Sequence, residues 1–407
     1  MEIYLVSEGD NVDQIASRFG EDVNQLVYDN QIEYPYPLAV GQARVVQNDI
    51  QPKRIKKAAA TCGYAYPFIS EWVLEQTLPY LTELPVFSYG FTERGELIPP
   101  FTDDSWVIER AKEYQTMPVL TLTPLGDDGH FNNMLISRML HDSRIQERLI
   151  WNLGDKVTEK GYGGINVDFE YVLPEDRDLF TAFVERIRKV MNVFGYRVSV
   201  ALVPKTSAAQ RGLLYEGMDY RGLGEAADEV FIMAYEWGYT YGPPMAVAPM
   251  NMVRRVVEYA VTEIPEEKII LGMPNYGYNW PLPFEQGVTK ARTMGNIEAV
   301  QLAIDYGVPI RFDEKAQAPY YRYWQYGINH EVWFEDARSV WSSMDLAEEF
   351  HLKGMGYWHI MQLFRPGWSI INDRFDIISS RLKCKRMQGK HRKHRNAGKR
   401  GNRQLSD

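Results

Sequence analysis

The sequence predicts an α/β protein, a TIM (β/α)8 barrel with an α+β insertion between strands 7 and 8, preceded by a small βααβ unit. Three observations carry this. From about residue 58, short strand-like runs alternate with amphipathic helical segments, as in a parallel sheet built from βα units. Eight such runs can be placed before residue 382, which suits a barrel with insertions. The first 47 residues instead read strand, helix, helix, strand. A doubly wound open sheet is the alternative, and no glycine-rich phosphate loop follows any early strand to support it.

In order, Ile3, Tyr4, Leu5 and Val6 suit a short strand, and Gly9-Asp10 a turn in which Asp10 or Asn11 caps the next helix. Val12, Ile15, Ala16 and Phe19 fall at helical spacing, with Gly20 as the stop. Val23, Leu26 and Val27 predict a second helix, and Ala43 to Val46 a closing strand. Residues 48–57 are polar, then basic, and predict a linker. Barrel strands are predicted at 63–68, 86–91, 119–123, 164–170, 197–202, 230–235, 269–275 and 356–360, with an amphipathic helix over 179–193. The longest interval lies between the last two strands. There, Tyr320 to Trp324 and Glu331 to Phe334 are strand-like, so about 281–336 is predicted as the inserted α+β wall of a cleft. The barrel runs over 58–382. Residues 383–407 lack periodicity and predict a basic, disordered tail.

Composition narrows the function. Of 407 residues, 45% are hydrophobic and 24% charged, as in a soluble globular protein. Aromatics reach 13%, with 26 Tyr and 10 Trp, side chains on which sugar rings stack. Cys62 and Cys384 are the only cysteines, and the seven His form no HExxH or Cys/His pattern, so neither a disulfide framework nor a metal or cofactor is predicted. The tail has ten Lys/Arg against Asp407 alone, so it carries +9 and the body before it −18 of the total −9. An acidic body argues against nucleic acid as a ligand, whereas the tail suits an anionic surface. The start lacks a basic n-region and an apolar h-region, and no apolar run reaches membrane-span length. A soluble chain without a cleaved signal peptide, working as a monomer, is the expectation.

The chemistry concentrates in Gly163-Gly164-Ile165-Asn166-Val167-Asp168-Phe169-Glu170-Tyr171. Alternation places Ile165, Val167, Phe169 and Tyr171 on one face of a strand and Asn166, Asp168 and Glu170 on the other. Two carboxylates side by side inside a barrel cost desolvation and repulsion, a cost most readily understood as chemistry. Tyr235 falls at the end of the sixth strand in Met233-Ala234-Tyr235-Glu236-Trp237, and Trp358 in the eighth. In such barrels, catalytic groups project from the C-terminal strand ends. An acid, a carboxylate neighbour, a phenol and an indole floor suit hydrolysis of a sugar.

These residues make the barrel similar to glycoside hydrolase family 18, whose fourth-strand motif is DxxDxDxE, with MxYD on the sixth strand and Trp on the eighth. The terminal DxE is kept as Asp168 and Glu170. Gly163, Asn166 and Glu236 stand where the family commonly has Asp. The first 47 residues resemble a LysM domain through Tyr4, Val6, Gly9-Asp10, Ile15-Ala16, Phe19-Gly20, Leu26, Asn30, Leu38 and Gly41-Gln42, departing from it at Tyr34-Pro35-Tyr36-Pro37. Together they resemble the spore cortex-lytic N-acetylglucosaminidases. That resemblance implies binding to peptidoglycan or another N-acetylglucosamine-containing glycan, and a place in the spore coat or cortex or the cell wall. It implies a retaining, substrate-assisted mechanism. Glu170 is then the general acid and base, Asp168 the group that orients the substrate acetamide and stays ionised throughout, and Tyr235 a hydrogen-bond donor to it. Asn166, Tyr171, Met233, Glu236, Trp358 and Asn275 are expected to contact substrate. Chitinase activity, a catalytically silent carbohydrate-binding protein and a structural coat component are the alternatives.

Overall fold

The computed structural model describes residues 1–47, 56–126 and 129–379. Strands β1 (Glu2–Leu5) and β2 (Ala43–Val46) pair antiparallel around helices α1 (Val12–Phe19) and α2 (Val23–Asp29). The side chain of Asn11 caps α1 by accepting from the Gln14 N–H, and Gly20 closes it with φ 69°. Val6, Val12, Ile15, Ala16, Leu26, Ile32 and Val46 form the small core of this unit.

The barrel and its insertion follow. The first half contains β3 (Lys57–Gly63), α3 (Glu71–Thr77), β4 (Glu83–Phe91), β5 (Leu97–Ile98), α4 (Ser105–Glu113), β6 (Met117–Leu122), α5 (Asn133–His141), α6 (Ser143–Lys160), β7 (Gly164–Val167) and α7 (Arg177–Val193). The second half contains β8 (Arg197–Leu202), α8 (Tyr220–Ala226), β9 (Glu229–Ile232), α9 (Met250–Glu263) and β10 (Ile269–Pro274). The insertion comprises β11 (Gly277–Leu282), β12 (Arg292–Met294), α10 (Asn296–Asp305), β13 (Arg311–Asp313), β14 (Ala318–Gln325) and β15 (Ile328–Trp333). Then come α11 (Ala337–Glu349), β16 (Gly354–Trp358), α12 (Arg365–Arg374) and β17 (Phe375–Ile377).

The eight parallel strands β3, β4, β6, β7, β8, β9, β10 and β16 close on themselves through the β16–β3 and β3–β4 pairings. The insertion is a five-stranded antiparallel sheet in the order β12-β11-β15-β14-β13. It begins at Gly277 rather than near 281, directly after β10. The first barrel strand lies at Lys57–Gly63 rather than 63–68. Its Lys- and Ala-rich run has little strand propensity, and pairing with β16 and β17 decides the matter instead. Most of the predicted linker and all of the predicted tail lie outside the described residues.

Alternation works as expected around β7. Ile165, Val167 and Phe169 are buried on the outer face, where Phe169 stacks on Phe180 and Phe183 of α7 at 5.7 and 6.3 Å. That helix presents Phe180, Phe183, Val184, Ile187 and Met191 at helical spacing. Asn166 and Asp168 face the barrel interior. At the opposite end of the barrel, Arg197 pairs with Glu83 and Glu229, and Lys353 also pairs with Glu229, so these buried charges neutralise one another.

The N-terminal unit packs directly on the barrel. Ala43 and Val45 belong to the barrel's core, and Ala39 to the core of the insertion. Ile310 N–H donates to the Val40 carbonyl at 2.9 Å, and Arg338 to that of Gly41 at 3.3 Å. Gly41 has φ 78°, and a Cβ there would stand 2.0 Å from the Ile310 carbonyl oxygen, so only glycine permits this approach.

Candidate active site

The C-terminal ends of the barrel strands surround a cleft of about 320 Å³. Asp168 and Glu170 reach it from beyond the end of β7. The ladder stops at Val167, not at 170 as predicted, although the Asp168 N–H still donates to the Leu122 carbonyl at 2.9 Å. Met233, Tyr235 and Glu236 come from beyond β9, and Trp358 from the end of β16. Of the predicted site residues, these six line the cleft together.

Three do not. Asn166 is 1% exposed and lies beneath Asp168. Its Oδ1 accepts from the Tyr64 hydroxyl at 3.1 Å, and its Nδ2 donates to Ser199 Oγ at 2.9 Å, so it supports the cleft floor. Tyr171 leaves the strand alternation because its φ is 52°, which turns the chain and leaves the side chain 41% exposed outside the cleft. Asn275 is buried as a clamp. Its Nδ2 donates to the carbonyls of His359 and Gln362 at 3.1 and 2.9 Å, and its Oδ1 accepts from Asn296 at 3.3 Å. That ties β10, the insertion and the segment after β16 to one another.

The electrostatics are those of an acidic site. No Lys or Arg is among the described residues lining the cleft. Burial pushes the Asp168 carboxyl well above the ordinary carboxylate range, and the adjacent Glu170 adds to this. Asp168 Oδ1 is buried with no hydrogen-bond partner. The hydrogen bond that Asn166 Nδ2 donates goes to Ser199 Oγ and not to Asp168 Oδ1. Burial thus works against the ionised form expected of Asp168. Glu170 is also raised, first by burial and then by the charge of Glu236. Glu236 sits at φ 67° and accepts from the hydroxyls of Tyr276 and Tyr278, the latter at 2.9 Å. Burial raises it, and those two hydrogen bonds oppose the rise. Tyr235 is buried, which pushes its hydroxyl well above its usual value and keeps it a donor.

Sequence reasoning missed the aromatic walls. Tyr64 and Tyr66 follow β3, Phe87 lies in β4, and Tyr215 and Trp237 complete the rim. The Trp358 ring meets Phe87 edge-on at 4.9 Å, Tyr64 at 5.6 Å and Tyr66 at 6.1 Å. Their signal was the run Tyr64-Ala65-Tyr66, whose alternation points both rings to one side. Tyr276 and Tyr278, which hold Glu236, show the same spacing.

The chain is similar over most of its length to spore cortex-lytic enzymes of Bacillus. It is 36% identical to the "Cortical fragment-lytic enzyme" of Bacillus anthracis across 93% of this chain and 99% of that protein. It is 33% identical to the protein of the same name in Bacillus subtilis with the same coverage. The crystal structure of the Bacillus cereus spore cortex-lytic enzyme SleL superposes with a TM-score of 0.89 at 33% identity, covering 93% of this chain and 99% of that one. A chitinase from Chromobacterium violaceum, at 23% identity and TM-score 0.71, shares the fold. The profile of glycosyl hydrolases family 18 matches residues 121–362, the span that carries Asp168, Glu170, Tyr235 and Trp358. A closed barrel with this cleft, matched along that span and along nearly the whole chain, makes the protein a member of glycosyl hydrolase family 18, and hence a glycosidase.

Proposed function

We propose that the protein hydrolyses spore cortex peptidoglycan, cleaving beside N-acetylglucosamine with retention of configuration. The observation that carries this reading is the buried pair Asp168 and Glu170, one of them with an unpartnered oxygen, facing an aromatic cleft whose described lining residues include no Lys or Arg. Such a pair holds one proton more readily than two charges. Burial raises both carboxyls. A bound N-acetyl sugar decides where the proton sits, because its acetamide N–H supplies the partner that Asp168 Oδ1 lacks, and a hydrogen bond to the charged form favours ionisation. The proton then favours Glu170, which donates it to the glycosidic oxygen. The acetamide oxygen attacks the anomeric carbon as the leaving group departs, giving an oxazolinium ion and needing no protein nucleophile. Asp168 stabilises its positive charge, and the Tyr235 hydroxyl donates to the acetamide oxygen and holds it in line for attack. Glu170, now a carboxylate, takes a proton from water as that water opens the ring. Trp358 is the floor on which the sugar stacks, with Met233 and Glu236 as further contacts.

The βααβ arrangement and the motif residues of the first 47 positions support a LysM-type glycan-binding unit. The names of the similar Bacillus proteins support action at the spore cortex. Incubation with cortex fragments followed by mass analysis should release reducing N-acetylglucosamine ends. Reducing muramic acid ends would sink the assignment, and efficient cleavage of chitin oligosaccharides with none of cortex would favour a chitinase. Glu170→Gln should lose about 10²- to 10⁴-fold in kcat while still binding glycan.

A further inference from the structure

We infer that a strip of exposed aromatic side chains, running from the lip of the cleft to the N-terminal unit, is a second binding surface for the glycan strand. The inference rests on the proposed function for the identity of that strand, an N-acetylglucosamine-containing polymer.

The strip begins at Tyr66, which lines the cleft and meets Trp358 edge-on. Phe68 stacks on Tyr66 with centroids 5.1 Å apart and planes at 25°, and is 65% exposed. Four residues on, Trp72 lies in the first turn of α3 and is 56% exposed. Beyond it stands Arg365 at the start of α12, its guanidinium carbon 6.0 Å from the Trp72 ring and 3.8 Å from the ring of Tyr28. Tyr28 belongs to α2 of the N-terminal unit and is 51% exposed. The far end is held firmly. Arg365 N–H donates to Gln31 Oε1 at 2.6 Å, its Nη2 donates to Gln76 Oε1 at 2.6 Å, and the Tyr28 hydroxyl reaches the same oxygen at 3.4 Å. The route therefore passes from the first strand's loop, over α3, onto another unit of the chain, and its last two rings share one cation.

Large aromatics scattered singly on a surface need no explanation, but a line of them that continues a substrate cleft does. The spacing suits a polymer better than a folded partner. The exposed rings of Phe68 and Trp72 suit the C–H face of a sugar, and Gln31 and Gln76, whose amide oxygens are taken by Arg365, border the strip with N–H donors for hydroxyl and acetamido oxygens. A strand lying along the strip gains one contact per ring, which favours a long chain. Beyond Tyr66 the strip lies outside the catalytic cleft, so its contribution grows with substrate length.

The test compares kcat/KM on an N-acetylglucosamine trisaccharide and on long, uncross-linked glycan strands, for wild type, Trp72→Ala, Phe68→Ala and the double variant. Trp151→Ala, a still more exposed indole on the helix α6, serves as the control. The long-to-short ratio of kcat/KM should fall about ten-fold in the double variant, through KM on the long strand, and stay at the wild-type value in the control. An unchanged ratio, or an equal drop in the control, would overturn the inference and leave the strip to some other partner such as a protein. Binding of both glycans is followed in parallel by intrinsic fluorescence. If wild type cleaves neither length, the proposed function fails, and the strip then stands only if the double variant loses affinity for the long strand alone.

Discussion

Asn166→Asp puts a second carboxylate beneath Asp168 at the base of the cleft. The cost can be worked from its surroundings. Asn166 is buried, accepts from the Tyr64 hydroxyl and donates to Ser199 Oγ. The Ser199 hydroxyl can rotate to donate instead, so no orphaned polar group results. What remains is charge. A carboxylate removed from water beside another carboxyl has its pKa raised in the folded protein, against about 4 in the unfolded chain. The folded state then binds the proton more tightly than the unfolded state. Stability is therefore untouched below about pH 4, declines as pH rises, and the loss is complete above the folded-state pKa. After allowance for the two hydrogen bonds, the expected loss is about 2–4 kcal/mol at about pH 8. At about 2 °C per kcal/mol for a chain of this size, the midpoint drops by about 4–8 °C. Thermal melts of wild type and variant across the pH range read this directly. An equal drop at acid and alkaline pH would mean that packing, not charge, is responsible, and no drop at either would refute the desolvation argument. Activity should change by less than about ten-fold, since the proton sharing proposed here runs between Asp168 and Glu170 without residue 166. A gain of several orders of magnitude would mean that the natural chain is nearly inactive and that the catalytic reading is wrong.

Three further outcomes are expected. Tyr235→Phe removes one hydrogen bond to a group that becomes charged in the transition state, so kcat/KM should fall by about 10- to 100-fold with an unchanged melting temperature; a loss under two-fold would remove Tyr235 from the mechanism. Glu236→Gln deletes the charge that helps raise the Glu170 pKa while keeping an oxygen acceptor for Tyr276 and Tyr278. Glu170 acts protonated, so the alkaline limb of the pH–kcat/KM profile should move to lower pH, and a move to higher pH would contradict the geometry. Gly41→Ala should prevent the approach of Ile310 and destabilise the protein by about 1–3 kcal/mol, measured by denaturant titration, and a neutral result would mean that the N-terminal unit is not seated as described.

Alternating runs and helical spacing made the barrel legible. The strand β8 begins and ends where alternation predicts, and α7 lies within two residues of its expected start. The first strand was hidden because alanines and lysines carry no strand signal, and its place is decided by neighbours distant in sequence. The inward set at β7 was readable from period-two alternation, but only up to Glu170. A positive φ at Tyr171 ends the pattern, and Tyr offers no local sign of it, as Gly would. Asn275 is expected from the sequence to contact substrate, whereas its hydrogen-bond partners, His359, Gln362 and Asn296, are brought in by the insertion and by the segment after β16. The aromatic walls of the cleft come from several different strands, so no single stretch of sequence could assemble them.

The seating of the N-terminal unit on the barrel has a mechanical consequence. A module on a loose tether lets its enzyme sweep a volume around the anchor point, with a local concentration that varies smoothly with distance. Here Ala39, Ala43 and Val45 are sunk into the cores of the other units, and the Val40 and Gly41 carbonyls are bonded across the junction. The N-terminal unit and the barrel are therefore packed as one body. If that unit grips a glycan strand, as proposed, cuts should recur at a set distance from the grip, and the molecule must let go and step to reach new bonds.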